Sequence, residues 1–422
     1  MIKICDCIMS AGKSVSCINY MNDHPDDKFI YITPYTDEAR RIVDNCPALN
    51  FKEPSDKHKE TGFSKSRHTA ELLKARENVA STHQCFKFYT NDMLQDIIDG
   101  GYTLMIDENV SVLEEYKDIT ACDIDLMLNS GYIALNDDDY HLTDKEYTGT
   151  WGREFIRLLR SRTLITVGND GNQNYYYWAM PKDLLNAFKD IVIMTYMFEG
   201  TDMYYYLQMN GMPYVNIGVR HDETGYHFDE SLVGSSDSFG YIRDKIHICD
   251  RQNRNDIGEK ENALSINWFK NPKSDIDGLR SQLYNWFNND NRGAGKNKRL
   301  WATIGDSHGK LRTVGAWNNN LAFNYRATNN YADRTILAYP ANIYVNVDKK
   351  NFYAKHGLAF NEEQYALSTM IQWIWRSAIR RGEDIWVYIP SKRMRMLIIR
   401  WLDDLANGTT GCVVSQEKGG VA

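Results

Sequence analysis

Gly12-Lys13-Ser14 stands where an apolar run, Ile2 to Ile8, passes through Met9-Ser10-Ala11 into a segment with helical spacing at Val15, Ile18, Tyr20 and Met21. Holding a polyphosphate requires a tight turn whose N–H groups surround the oxygens, a lysine for the β/γ charge and a hydroxyl for Mg2+. A helix N-terminus adds partial positive charge. Ser10, Ala11, Gly12, Lys13 and Ser14 supply these parts, with Ser14 as the metal ligand. The full phosphate-loop pattern begins with a glycine, and Cys7 stands in that place. Taken alone, the tripeptide also fits an ordinary strand-to-helix turn.

Two further groups complete a hydrolytic set. Leu104-Met105-Ile106 is an apolar strand that runs into Asp107-Glu108. In nucleotide hydrolysis the first acid of such a pair holds the Mg2+ shell, and the second polarises the attacking water. Far along the chain, Gln372, Arg376 and Arg380 recur every fourth residue, so a continuous helix would align them on one face. A glutamine and two arginines in line suit γ-phosphate recognition and the stabilisation of transition-state charge. A solvated basic helix face, with Trp373 and Trp375 in the core, is the competing reading.

These residues need elements to hold them. Phe29 to Ile32, Tyr102 to Ile106, Ile191 to Met194, Leu300 to Ile304, Thr335 to Tyr339 and Ile385 to Ile389 read as buried strands. Asp37 to Val43, capped by Thr36, and Tyr365 to Ile379 read as helices. The alternation predicts an α/β fold with parallel sheets and functional loops at the strands' carboxyl ends. Asn136 to Asp144 reads as a solvated acidic loop, and Asn288 to Lys298 as a loop or linker between modules. Arg220 to Gly258 shows no assignable period. Tyr175 to Trp178 and Tyr204 to Tyr206 read as sheet or interface aromatics rather than base-stacking platforms.

Composition sets the limits. The chain has 422 residues, 43% hydrophobic and 25% charged, which fits a folded protein of two or three domains. No apolar run approaches the ~18 residues of a bilayer span, and Met1-Ile2-Lys3 opens no signal peptide. No membrane role is expected. Eight cysteines without a CxxC pair read as reduced thiols of a cytoplasmic protein. The histidines lack ligand spacing, so no metal beyond nucleotide-borne Mg2+ is expected. A net charge of −7 excludes a protein that coats nucleic acid, so nucleic-acid binding must rest on a local patch. The run from Arg376 to Arg400, which includes Arg381, Lys392, Arg393 and Arg395, is such a patch.

In chain order these segments resemble a superfamily 2, DEAD-like helicase core, and more narrowly the helicase-like proteins of tailed bacteriophages. Met9 to Ser14 is similar to motif I, Ile32-Thr33-Pro34 to motif Ia, and Ala80 to Gln84 to the Thr-His-Gln stretch that follows it. Ile106-Asp107-Glu108-Asn109 is similar to motif II, Met194 to Gly200 to motif III, Asn324 to Arg334 to motif V and Gln372 to Arg380 to motif VI. The resemblance implies two tandem RecA-like domains, parallel sheets flanked by helices, with an ATP site in the cleft between them. Residues 1–205 would form the first domain, 206–298 the start of the second with a linker or insert, 299–406 the rest of the second, and 407–422 a flexible tail. Lys13, Asp107, Glu108, Gln372, Arg376 and Arg380 would be catalytic. Arg376 has the finger's offset from Gln372, whereas Arg380 falls one residue late.

Thr33, Pro34, Thr82, Arg326, Thr328, Lys392 and Arg393 would hold nucleic-acid phosphates. The implied activity is that of an ATP- and Mg2+-dependent helicase or translocase, acting on DNA more than RNA in replication or recombination. Replication proteins are expected partners, and a phage-encoded chain would work in the host cytoplasm. A remodelling ATPase that separates no strands, or a catalytically idle helicase fold kept for binding, are the alternatives.

Overall fold

Runs such as FIYIT, TLMID and DIVIMT are apolar at consecutive positions, so both faces of the strands they form must be covered. The computed structural model describes residues 1–55, 65–136, 139–144, 152–167, 175–291, 293–305, 307–312, 319–324 and 330–408. Strand β1 (Ile2–Asp6) leads to helix α1 (Lys13–Asp23), and β2 (Phe29–Thr33) to helix α2 (Thr36–Asn45). Strands β3 (Val79–Thr82) and β4 (Thr103–Asp107) follow. The chain then leaves the sheet. Strands β5 (Leu113–Glu115), β6 (Ile133–Asn136), β7 (Asp139–Leu142), β8 (Leu164–Val167) and β9 (Tyr175–Ala179) form a separate antiparallel sheet in the order β5-β9-β8-β7-β6.

The return strand β10 (Asp190–Thr195) inserts between β1 and β4, parallel to both. Strand β11 (Tyr214–Asp222) adds to the other side of β1, and β12 (Gly225–Asp229) turns back from it as a hairpin, with β13 (Gly234–Ser235) alongside. The first sheet thus runs β12-β11-β1-β10-β4-β2-β3. A second sheet, parallel throughout, takes β14 (Ile246–Ile248), β15 (Arg299–Thr303), β16 (Asn320–Ala322), β17 (Ile336–Ala338) and β18 (Ile385–Tyr388) in the order β14-β18-β17-β15-β16. The chain is α/β, with two tandem domains, each built on a sheet of mainly parallel strands flanked by helices.

Several segments differ from their sequence reading. Asn136 to Asp144 is no open loop, because β6 and β7 pair across it and bury Tyr140. Segment 206–298 is divided: β11 to β13 belong to the first sheet, and the chain from β14 onward to the second. Asn288 to Lys298 lies inside the second domain, where a π-helical turn, Trp286–Asp290, seats Trp286 against the Leu337 carbonyl at 2.9 Å. Tyr35, not Thr36, is the N-cap residue of α2. By contrast, Tyr176, Tyr177 and Trp178 are sheet aromatics as read, buried in β9. The final residues, 409–422, lie outside the described set.

The domains meet where the helix Glu362–Ile374 lies on the turn Phe198–Gly200. Only a glycine fits at residue 200, since a Cβ there would stand 2.9 Å from the backbone of Gln364 and Tyr365. A tighter approach joins the turn Asp256–Gly258 to the chain leaving β18. A Cβ on Gly258 would collide with the carbonyl oxygen of Pro390, which is backbone and cannot swing away. Gly258→Ala should therefore destabilise the second domain by about 1–3 kcal/mol through overpacking. A fall in thermal midpoint with an unchanged far-UV dichroism spectrum is the expected result, and an unshifted midpoint would show that the approach is not constrained.

Candidate active site

β1 ends at Asp6, and Cys7 to Gly12 turn over the carboxyl edge of the sheet into α1. Left-handed backbone at Ser10 (φ 66) and Gly12 (φ 85) makes the turn tight. Gly12 is required a second time, because a Cβ there would run into the Tyr226 ring. The Lys13 ammonium donates to the carbonyls of Cys7 and Ile8, the latter at 3.0 Å, and so arches over its own loop. Ala11 is buried beneath this turn.

One strand beyond β10, β4 delivers Asp107 and Glu108 to the same edge. Glu108 adopts φ 61, uncommon for a residue with a side chain, while its N–H bonds the Met194 carbonyl at 3.0 Å. The Asp107 carbonyl lies 3.0 Å from Nε2 of the buried His83. Burial, reinforced by the adjacent Glu108 carboxylate, pushes the Asp107 carboxyl from 3.8 up to about 6, against the hydrogen bond from the Tyr31 hydroxyl.

The second domain closes the far wall. Here the sequence reading needs correction: Gln372, Arg376 and Arg380 do not share one helix. The helix ends at Ile374, the Ser377 hydroxyl bonds the Ile374 carbonyl at 2.6 Å, and a separate 3-10 turn holds Ala378–Arg381. All three side chains still face the cleft. Arg376 Nη2 reaches Glu108 Oε1 at 3.5 Å, and Trp375 Nε1 donates to the Ser10 hydroxyl at 3.3 Å. Burial, and after it the Arg376 charge, hold the Arg380 guanidinium below its ordinary pKa.

A cavity of about 310 Å³ between the domains is lined by Ser10, Gly12, Lys13, Ser14, Asp107, Glu108, Gln372, Arg376 and Arg380. Its donor set fits a Mg2+-bound polyphosphate: a hydroxyl and a carboxylate for a hard cation, and an ammonium and guanidinium groups for phosphate oxygens. Glu108 Oε2 and Arg376 Nε are also buried without a hydrogen-bond partner among the described residues, an acceptor and a donor in the same cleft.

The residues expected to hold nucleic acid are not gathered in this way. Thr33 is fully buried at the end of β2, and Pro34 lines the cavity instead. The Thr82 hydroxyl accepts the Cys85 N–H at 3.3 Å as a helix cap. Lys392 pairs with Glu259 at 3.0 Å. Arg393 turns inward to the Asn342 side chain and the Ile343 carbonyl, over the ring of Tyr344. Arg326 and Thr328 lie outside the described residues.

Sequence reasoning missed Glu38 and Arg41 on α2, paired at 2.9 Å, and Tyr226 on β12, all of which line the cavity. The acids of α2 follow the Thr33-Pro34 turn directly and carried a signal of place. Tyr226 carried none.

A family model described as the YonV C-terminal Rossmann-like domain matches residues 240–402, the span of the second sheet. The chain is 33% identical over 418 residues to the SPbeta prophage-derived uncharacterized protein YonV of Bacillus subtilis (strain 168), covering 96% of this chain and 99% of that protein. A solved chain described as XPD helicase is similar over 96% of this chain and 95% of its own, with 12% identity and a TM-score of 0.46.

The raised Asp107 pKa predicts a pH-dependent cost. Its folded value, about 6, exceeds the reference 3.8, so the folded state favours the protonated carboxyl and loses stability as pH rises through that interval. In metal-free protein, Asp107→Asn should raise stability by roughly 2–3 kcal/mol at pH 8, with the gain vanishing below about pH 4. Denaturant midpoints across that range would measure it, and a gain independent of pH would refute the assignment.

Proposed function

The chain belongs to the YonV family, and we propose that it is an ATP hydrolase of helicase or translocase type acting on nucleic acid, DNA before RNA. The observation that supports this most is the single cleft into which one domain sends Lys13, Ser14, Asp107 and Glu108 and the other sends Gln372, Arg376 and Arg380. The sequence resemblance and the prophage derivation of YonV favour a phage replication or recombination setting.

In this reading the triphosphate lies over the Cys7-to-Gly12 turn, and Lys13 exchanges the Cys7 and Ile8 carbonyls for β/γ-phosphate oxygens. Mg2+, held by Ser14 and Asp107, would neutralise charge on the phosphate oxygens. Glu108 orients the attacking water and accepts its proton. Arg376 leaves Glu108 for the γ-phosphate and stabilises the charge that develops there. Glu108 is thereby released for its water, so the two steps are linked through one ion pair.

Steady-state ATPase rates with single-stranded DNA, single-stranded RNA and neither, followed by unwinding of a tailed duplex, test the assignment. Lys13→Ala should abolish turnover, and near-wild-type hydrolysis would remove the phosphate-loop reading. Glu108→Gln should retain ATP but not hydrolyse it. Arg376→Ala should bind nucleotide yet lose about 10³–10⁵ in rate, with Arg380→Ala impaired less sharply. The reverse order would move the finger to Arg380.

A further inference from the structure

Glu108 holds a backbone conformation, φ 61, that a residue with a side chain keeps only where its surroundings impose it. The peptide unit joining it to Asp107 has two polar atoms, and both are held. On one side the Glu108 N–H donates to the Met194 carbonyl of β10 at 3.0 Å. On the other the Asp107 carbonyl lies 3.0 Å from Nε2 of His83. A carbonyl can only accept, so Nε2 of His83 carries the proton and donates it. β10 neighbours β4 directly, whereas His83 follows β3 and reaches past β2, which stands between β3 and β4. Local structure supports that reach. His83 is buried and opens the short helix His83–Phe86, which the Thr82 hydroxyl caps by accepting the Cys85 N–H at 3.3 Å. His83 does not line the cavity, so the peptide is its route to the site.

A turn of that peptide would redirect Glu108 more than Asp107. Asp107 is paired with Met194 in the ladder between β4 and β10, and the Tyr31 hydroxyl bonds its carboxylate, so the aspartate stays with its strand. Glu108 lies just beyond the end of β4, and its direction follows from its φ. As held, its side chain enters the cleft, with Oε1 3.5 Å from Arg376 Nη2 and Oε2 without a hydrogen-bond partner among the described residues. We propose that His83 is a positioning residue for nucleotide hydrolysis: it fixes the Asp107–Glu108 peptide and so aims the Glu108 carboxylate at the attacking water. The proposal rests on the ATP-hydrolase reading above and adds what directs the base that reading invokes. His83 itself touches neither nucleotide nor metal. Loss of its donor frees the peptide to turn, which leaves nucleotide bound beside a misaimed base.

The test separates aim from binding. His83→Leu fills the space without a donor, and His83→Gln places an amide N–H near the position of Nε2. Both full-length variants would be compared with wild type by steady-state ATPase assay and by calorimetric titration with a non-hydrolysable ATP analogue. His83→Leu should lower kcat roughly a hundredfold, as a misplaced catalytic group does. KM, the Kd of the analogue and the Mg2+ concentration for half-activity should stay within about twofold. His83→Gln should recover most of the rate. Unchanged kcat in His83→Leu would overturn the proposal. A parallel loss of analogue binding, or a raised Mg2+ requirement, would also overturn it, because His83 would then shape the phosphate turn or Asp107 instead. So would a His83→Gln variant as slow as His83→Leu. Should His83→Leu fail to fold, His83→Asn takes its place, since its amide is one bond too short for the Asp107 carbonyl. These failures leave the ATP site standing, being measured against an active wild type that Lys13→Ala silences. Wild-type protein without ATPase activity would overturn the hydrolase reading and this proposal together.

Discussion

The ion pair between Glu108 and Arg376 is the contact on which the two domains turn. Its members come from different domains, 268 residues apart, and Arg376 is only 8% exposed. A guanidinium that far from water needs an anion, and removing its partner would leave a buried charge uncompensated. The first domain supplies that anion from Glu108, the residue that follows β4. Lys13 follows the same logic, its ammonium satisfied by carbonyls of its own loop. Both cations are held by acceptors that a phosphate can displace. In the proposed function, entry of a polyphosphate would therefore be an exchange of partners rather than the solvation of bare charge, and it would change what joins the domains.

The parts of this site that a sequence displays are those in which local chemistry and local structure coincide. Gly12-Lys13-Ser14 requires a left-handed turn at a helix start, and Asp107-Glu108 must follow a buried strand, so both were legible in the sequence with their elements. The parallel α/β fold was legible for the same reason, since doubly covered strands read as unbroken apolar runs. The 372–380 segment was legible in its residues but not in its shape. Four-residue spacing implied one helix, whereas the Ser377 hydroxyl stops it at Ile374, and the arginines reach the cleft from a turn. Tertiary contacts, not periodicity, aim those side chains.

What stayed hidden depends on pairing across long separations. The polar strands β11 and β12 carry no strong period of their own, and their place is decided by the edge of β1, more than two hundred residues earlier in the chain. Tyr226 enters the cleft by that route. The antiparallel sheet between β4 and β10 was read in part as an acidic loop, because short strands with exposed acids look like turns until their partners are known. Its buried Tyr176, Tyr177 and Trp178 join a core that also takes Phe352 and Tyr353 from the second domain, so the insertion ties the two halves of the chain together away from the cavity's lining residues.

The end of β10 shows how closely the site and the domain contact are built into one strand. Thr195 lines the cavity, and the next residue, Tyr196, is held by the second domain at both ends. Its carbonyl accepts from Ser368 at 3.2 Å, and its hydroxyl accepts from Trp401 Nε1 at 2.8 Å. Ser368 in turn receives the Gln372 amide at 3.2 Å, so a cavity-lining side chain is two hydrogen bonds from that carbonyl. The Asp6 carboxylate, at the end of β1, accepts from the N–H groups of Met197 and Phe198 at 2.7 and 2.9 Å and fixes the chain that follows. A shift of Tyr196 toward or away from the cavity must therefore strain either the bonds to Ser368 and Trp401 or those anchored on Asp6. Buried polar bonds of this kind are costly to leave unmade, so the strand tends to keep one set or the other rather than lose both.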